Sequence, residues 1–353
     1  MNIAMISLYL PSQDKCGAGY QAHYMANALL RQGHAVTLFS PAQKPIDALY
    51  RHVRVDVGAS LRTFRFAWNL RKVDWSAFEV VHAHGDDYWL WKCAGAVHVR
   101  TMHGSCLAEA LHVPRVKEKL RMAALGVSEI LATLVADRTV CVSQNTCRYY
   151  PWVKHVIMNG VDTAAFYPGA AGEKELAPTI LFVGTYQNRK RGKLLMDAFA
   201  SEILPAIPDA RLWMVCSDAP PAPGVTVCGS LPLEKLAELY RRAWVFCLPS
   251  TYEGFGVPYI EAMASGTPVV ATPNVGALEV LDRGKYGVIV EPQGLGETIR
   301  RLLQDPAARE HLQTVGLERS RMFAWDVIVR QYEQLYASLM QRHPRIEKAV
   351  NVP

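Results

Sequence analysis

Nowhere in the 353 residues does an apolar run approach the ~20 residues that a bilayer-spanning helix requires, which excludes a helical membrane protein. The opening MNIAMISLYLPS has no basic stretch ahead of an apolar one and reads directly as a strand. A cytoplasmic protein without a secretory leader is expected. The eight cysteines, at 16, 93, 106, 141, 147, 216, 228 and 247, include no C-x-x-C pair and no histidine at zinc-ligand spacing. Zinc modules and disulfide frameworks are set aside, and reduced, mostly buried thiols are expected. A complete G-x-G-x-x-G is missing too: after Gly17-Ala18-Gly19, His23 and Tyr24 stand near the third glycine's place, and no acidic residue ends the second strand at Phe39-Ser40. A dinucleotide-dependent oxidoreductase therefore lacks its fingerprint.

With half its residues hydrophobic and a fifth charged, the chain is globular, and its length favours two α/β domains over a single core. The first 164 residues own the whole net charge of +6. Its densest cluster is Arg115, Lys117, Lys119 and Arg121, interleaved with Val116, Leu120 and Ala124 at helical spacing. Such a helix suits an anionic membrane surface or an acidic acceptor, although a solvated face is the commoner meaning of a basic run. No aromatics interleave with it, so no nucleic-acid partner is expected.

Ile3–Leu8, a helix from Gly17-Ala18-Gly19 to about Arg31, a stop at Gly33 and a strand at Ala35–Phe39 form a βαβ unit. Apolar runs at Val80–Ala83, Ala96–Met102 and Thr139–Val142 continue a parallel sheet covered on both faces. After a linker from Asn159–Asp162 toward Pro178, a second set of strands follows at Thr179–Val183, Leu212–Cys216, Val245–Leu248, Val269–Ala271 and Val288–Val290. The expected fold is thus α/β, with two Rossmann-like, doubly wound domains facing across a cleft. Ligands belong at the carboxyl ends of their strands. The expected divisions are 1–164, 165–325, a terminal helix over 326–345 and a tail over 346–353.

Chemistry concentrates at Ser250-Thr-Tyr-Glu253-Gly254-Phe255-Gly256-Val257-Pro258-Tyr-Ile-Glu261, ending at Gly266-Thr-Pro268. Gly254 and Gly256 permit a tight turn and close backbone approach to a ligand. Pro258 suits the first turn of a helix and Gly266 its stop. The helix N-terminus offers free N–H groups to a diphosphate. Glu253 and Glu261 each bring two acceptor oxygens, suited to neighbouring hydroxyls of a sugar or ribose. Arg189-Lys190-Arg191 lies between a strand ending in Gly184 and a helix starting near Gly192, which favours phosphate contact over a solvated turn. His82 and His84 alternate along a strand end without a partnering Cys or carboxylate motif, so no metal is expected.

The 250–276 segment resembles the signature of glycosyltransferase family 4, retaining enzymes of the GT-B fold. Val156–Asp162 with Phe166 and Pro168 resembles the family's inter-domain crossing, Ile180–Gly184 with Arg191-Gly192 its phosphate loop, and Phe323-Ala-Trp325 with Tyr332 and Tyr336 its terminal helix, which recrosses to the first domain. The resemblance implies that Glu261 holds the donor ribose hydroxyls and that Glu253 faces the donor sugar. Backbone amides of Phe255, Gly256 and Val257 would meet sugar or phosphate oxygens. Arg191 matches the basic residue on the diphosphate, Gly17 and Gly19 the glycine loop closing over it, and His103 the histidine near the transferred sugar. Thr185 stands where the family usually has a second diphosphate-binding arginine, and Arg189 or Lys190 would supply that charge. The family keeps the anomeric configuration, the acceptor attacking from the leaving-group face while a phosphate oxygen takes its proton.

The implied activity is transfer of a sugar from a nucleoside-diphosphate sugar, a co-substrate with no resident cofactor, to a hydroxyl of a saccharide, lipid-linked or small-molecule acceptor. The implied products are polysaccharides, glycolipids or glycosylated natural products. A catalytically silent GT-B binding protein and a GT-B sugar epimerase are the alternatives, the first disfavoured by the intact Glu253, Glu261 and His103. Transferases of the other common architecture hold the diphosphate through a metal bound by Asp-x-Asp. No such motif lies beside the phosphate segment, and the adjacent pair Asp86-Asp87 belongs to the other domain. Turnover is therefore expected to survive exhaustive EDTA treatment. Loss of turnover with recovery on Mg²⁺ or Mn²⁺ would give the leaving group to a metal instead.

Overall fold

Alternation of apolar strands with helices builds two compact units in the computed structural model, Met1–Gly160 with Trp325 onward, and Val161–Ala324. Described are residues 1–11, 17–58, 61–91, 93, 95–112, 116–170 and 172–342. Cys16, Arg115 and the expected tail over 346–353 lie outside them. The boundary falls inside the predicted Asn159–Asp162 crossing, four residues ahead of 164, and Trp325 groups with the first unit.

In the first unit β1 (Asn2–Ile6), α1 (Gly17–Arg31), β2 (Ala35–Ser40), β3 (Arg51–Arg54), α2 (Arg62–Leu70), β4 (Val80–Ala83) and β5 (Val97–Met102) lead into α3 (Cys106–His112) and α4 (Val116–Val135). Then come β6 (Arg138–Cys141), α5 (Gln144–Arg148) and β7 (His155–Val156). Among the described residues the sheet order is β3-β2-β1-β4-β5-β6-β7, with every pair parallel. Ile3 and Met5 of β1 enter one apolar cluster, Ala4 and Ile6 the other, as the two-residue period of a strand buried on both faces demands.

In the second unit β8 (Thr179–Val183), α6 (Gly192–Ala198), β9 (Arg211–Val215), β10 (Val225–Val227), α7 (Leu233–Arg242) and β11 (Val245–Leu248) precede α8 (Val257–Ala264) and β12 (Val269–Ala271). The unit closes with α9 (Val275–Val280), β13 (Val288–Ile289), α10 (Leu295–Gln304) and α11 (Pro306–Ser320). Its order, β10-β9-β8-β11-β12-β13, repeats the first unit's 3-2-1-4-5-6 pattern. Connections reverse direction between β8 and β11 there, and between β1 and β4 in the first unit, so each sheet opens a crevice at its switch point.

The last helix, α12 (Trp325–Met340), belongs to the first unit. Ile328, Val329, Tyr332, Leu335, Tyr336 and Leu339 repeat at helical spacing and join the cluster of Met25, Leu29 and Leu38. Polar ties fix its register: the Tyr336 hydroxyl meets His82 Nδ1 at 2.6 Å, the Tyr332 hydroxyl meets Thr101 Oγ1 at 2.9 Å, and His34 Nε2 meets Glu333 at 2.6 Å. The helix can seat only because Gly160 has no side chain. A Cβ there would stand 2.4 Å from the Trp325 indole, while Gln21 donates to the Gly160 carbonyl and accepts from its N–H. Gly160→Ala should lower stability by about 1–3 kcal/mol through overpacking. Urea unfolding should show a lower midpoint at unchanged slope, and an unmoved midpoint would mean the seam is loose.

Candidate functional site

Two loops meet at the switch point of the second unit, because β8 and β11 are hydrogen-bonded neighbours and each releases its chain at the same sheet edge. The loop after β8 runs Gly184–Arg191, and the loop after β11 runs Pro249–Gly256 into α8. A backbone bond from Thr251 N to the Arg189 carbonyl, 2.8 Å, stitches them together. Glu253 completes the seam. Its Oε1 accepts from Lys190 Nζ at 2.7 Å, Arg189 Nη1 at 3.1 Å and Ser250 Oγ at 2.6 Å, and the residue is 5% exposed. Arg189 Nη1 also donates to the Tyr252 carbonyl at 2.9 Å.

Glu261, one turn into α8, accepts from the Tyr240 hydroxyl of α7 at 3.0 Å and keeps part of its surface open. Burial of the carboxyl pushes its pKa up to about 7, against the opposing pull of the Tyr240 hydroxyl and the Lys190 ammonium. Burial likewise lowers the Lys190 pKa, with Glu253 drawing it back up. Gly256 caps α8 at φ 100°, a conformation that costs other residues dearly, and Pro258 sits in the first turn. The Phe255 ring is buried, and the N–H groups of the first turn of α8 have no intrahelical partner, as at any helix start.

Arg191 points elsewhere. Its backbone is left-handed, φ 52°, and its guanidinium donates to the Pro249 carbonyl at 2.6 Å and to Thr272 Oγ1 at 2.7 Å. The structure thus brings Arg189, Lys190, Glu253 and Ser250 into one cluster and Arg191 onto its floor. Thr185, in place of an arginine, folds its hydroxyl onto the Gln187 carbonyl at 2.8 Å. The charges read from the sequence as waiting for phosphate are already met by protein groups.

In the first unit His103, after β5, meets His84 of the loop after β4 through Nε2···Nδ1 at 2.9 Å. His82, His84 and His103 stack in series, with ring centroids 4.6 and 5.2 Å apart. Burial lowers His103 to about 4, with a hydrogen bond to the Asn159 side chain opposing, and lowers His82 to about 3 and His84 well below the usual range. The ladder is therefore neutral, and His84, His103, Asn159 and Gln21 line a small cavity under Trp325. Gly19 lies against the Tyr9 backbone, where a Cβ would come within 2.7 Å, while Gly17 has open space around it. The described cysteines are free thiols.

Sequence reasoning gave no role to Tyr240 or Asn274, quoted Ser250 only as the start of its segment, and weighed His84 only as a metal ligand. Asn274 Nδ2 donates to the Ser250 carbonyl at 3.2 Å and to the Tyr259 hydroxyl at 3.1 Å, while its Oδ1 caps α9. An Asn before a short helical pattern was the available signal for it. Tyr240 reads as plain core on its helix face.

The family model described as Glycosyltransferase Family 4 matches residues 16–165, and that described as Glycosyl transferases group 1 matches 177–305. The chain belongs to glycosyltransferase family 4. It is 29% identical over 255 residues to alpha-maltose-1-phosphate synthase of Mycolicibacterium smegmatis, covering 59% of this chain and 65% of that one. It is 29% identical over 309 residues to D-inositol 3-phosphate glycosyltransferase 1 of Catenulispora acidiphila, covering 75% and 73%. The solved sucrose-phosphate synthase of Thermosynechococcus elongatus superimposes with TM-score 0.78 at 26% identity, over 97% of this chain and 99% of that one. The two units are those of the GT-B fold. This family 4 protein is a glycosyltransferase using a nucleotide sugar, and neither the silent binding protein nor the epimerase is supported.

Proposed function

We propose that the second unit holds the nucleoside-diphosphate sugar at the seam between the β8 and β11 loops, and that transfer retains the anomeric configuration without a resident metal. The observation that carries this is the convergence of Arg189, Lys190, Glu253 and the start of α8 at one switch point. Glu261, partly open beside them, accepts the ribose hydroxyls. Glu253 exchanges one or both of its cations for sugar hydroxyls while those cations turn to the diphosphate. Departure of the nucleoside diphosphate builds negative charge on its oxygens, and fixed cations with the amides of Phe255, Gly256 and Val257 lower that barrier. Arg191 supports this by holding the Pro249 carbonyl and Thr272, so the floor of the site keeps its shape. His103, neutral at physiological pH, keeps the sugar-proximal role the family gives it, as a hydrogen-bonding group and not as a base. The acceptor is a saccharide, lipid-linked sugar or small molecule taken by the first unit.

Donor binding should depend on the ionised Glu261. A screen of UDP-, GDP- and ADP-sugars by thermal shift identifies the nucleotide. Glu261→Gln should then weaken that free nucleotide about tenfold or more, since hydrogen bonds to a charged group are worth roughly 1.5–3 kcal/mol. With the carboxyl at about 7, the wild-type advantage should grow as pH rises through that value and fade below it. Comparing the two proteins at each pH cancels titration of the nucleotide. An equal ratio on both sides of neutrality removes the ribose role.

A peripheral membrane contact has its own support. On α4, Val116, Leu120, Val127, Leu131 and Leu134 stay 55–72% exposed along one stripe, flanked at its start by Lys117, Lys119 and Arg121. No helix among the described residues is long and apolar enough to cross a membrane. An apolar stripe edged with lysines suits the plane of an anionic leaflet. Co-sedimentation with vesicles of equal phosphatidylglycerol and phosphatidylcholine should be strong and should fail for Leu120→Glu/Leu131→Glu; equal sedimentation of both proteins would remove the contact.

A further inference from the structure

The first unit carries an aromatic surface that neither the donor site nor the histidine ladder uses. Phe64 and Trp68 sit one turn apart on α2, and Trp89 and Trp91 follow in the loop after β4. Phe64 stacks on Trp89 with centroids 5.5 Å apart at 23°, and Trp68 meets Trp89 edge-on at 5.9 Å and 84°. Arg71 lies over Trp68 at 4.7 Å and over Trp91 at 6.0 Å. The outer indoles are left to solvent, Trp68 at 52% and Trp91 at 62%. Two large rings so open beside one arginine mark a recognition patch.

The patch is rigid. Asp87 is buried and pairs with Arg100 of β5, and it accepts from His98 Nε2 at 2.8 Å. The Arg100 guanidinium lies over the Tyr88 ring at 5.3 Å, and Leu90 enters the apolar cluster of Phe39 and Val81. Asp87, Tyr88 and Leu90 thus anchor the loop inward, while Trp91 is left outside and Trp89 rests on α2. Burying an ion pair adds little net stability. What this one secures is the setting of two tryptophans.

We propose that Phe64, Trp68, Trp89, Trp91 and Arg71 form a saccharide-binding platform that seats the acceptor. This rests on the transferase reading and narrows its acceptor to a molecule that presents a pyranose ring. Such a ring has an apolar C–H face that packs on an indole, whose face is electron-rich, and a rim of hydroxyls that takes donors from a planar guanidinium. Trp68, Trp91 and the Arg71 head between them supply that pairing. The loop leaves β4 at His84, which is bonded to His103, and by Asp87 it has turned back along β5, where it meets His98 and Arg100. An anionic leaflet also takes exposed tryptophans beside a cation, and the vesicle arm of the test below reads that outcome.

The test is a glycan array of pyranose-containing oligosaccharides, probed with the labelled full-length protein. A subset should be bound, and Trp68→Ala/Trp91→Ala should lose it about tenfold or more, as truncation of aromatic anchors does. Trp68→Phe/Trp91→Phe should keep most of it, and Trp152→Ala, at an exposed tryptophan elsewhere on the unit, all of it. Nucleotide affinity should not change in any variant. Silence on the array from a protein that binds its nucleotide overturns the platform, as does undiminished binding by the double alanine variant. Loss of phosphatidylglycerol vesicle binding in that variant, with glycan binding retained, would assign the patch to a lipid surface. Failure to bind any nucleotide sugar would strike the donor reading and leave the array result to judge the platform.

Discussion

A single carboxylate oxygen, Glu253 Oε1, receives hydrogen bonds from Lys190, Arg189 and Ser250, and the second unit's loops are arranged around it. Lys190 and Arg189 arrive on the loop after β8, Ser250 and Glu253 on the loop after β11, so this oxygen is where two strand ends are held in register. Ion pairs of this kind add little net stability, so what the three bonds fix is the relative placement of the two loops. The backbone strain beside it agrees. Asn188 and Arg191 both take left-handed conformations, which for residues other than glycine persist only where surroundings impose them. On the proposed reading, an incoming diphosphate would meet cations that are already oriented, and its charge would compete with one carboxylate.

The first unit solves a different problem by the same means. Its histidines are buried deeply enough to stay neutral, so the ladder from His82 to His103 works as a row of oriented donors and acceptors. Tyr336 and Thr101 take up both nitrogens of His82, and Tyr332 holds Thr101, which ties the row to α12. The last helix therefore does more than cover a sheet face. Its Tyr336 occupies one ring nitrogen of His82, whose ring stacks on that of His84.

Most of the scaffold was legible because strands buried on both faces announce themselves as short apolar runs, and Thr179–Val183, Val245–Leu248 and Val269–Ala271 fall where their runs predict. The strands missed were β3, β7 and β10. Arg51–Arg54 and His155–Val156 are polar or short edge pieces, and Val225–Val227 lies at a sheet edge with only one neighbour to bury it. The glutamate pair was legible because glycines and a helix-starting proline accompany it. The direction of Arg191 was not, because it depends on a left-handed backbone that nothing in Arg-Lys-Arg-Gly specifies. The pairing of the tryptophans was not legible for a third reason: Phe64 and Trp68 are far in sequence from Trp89 and Trp91, and only the placement of α2 beside the β4 loop brings them together.

Thr185 shows how the missing arginine is absorbed. A short hydroxyl there bonds within its own loop, and Asp218 accepts from the N–H of Tyr186 at 3.0 Å, so the turn after Gly184 is closed by neutral and acidic groups. Positive charge in the loop is thereby displaced toward its end, at Arg189 and Lys190, next to Glu253. Arg189 leaves 54% of its side chain open, whereas Lys190 leaves 15%. The exposed member is the one able to swing without leaving a buried charge behind, since uncovering the partner of a buried pair is what costs most. On the proposed reading, the mobile half of phosphate recognition would fall to Arg189 and the fixed half to Lys190.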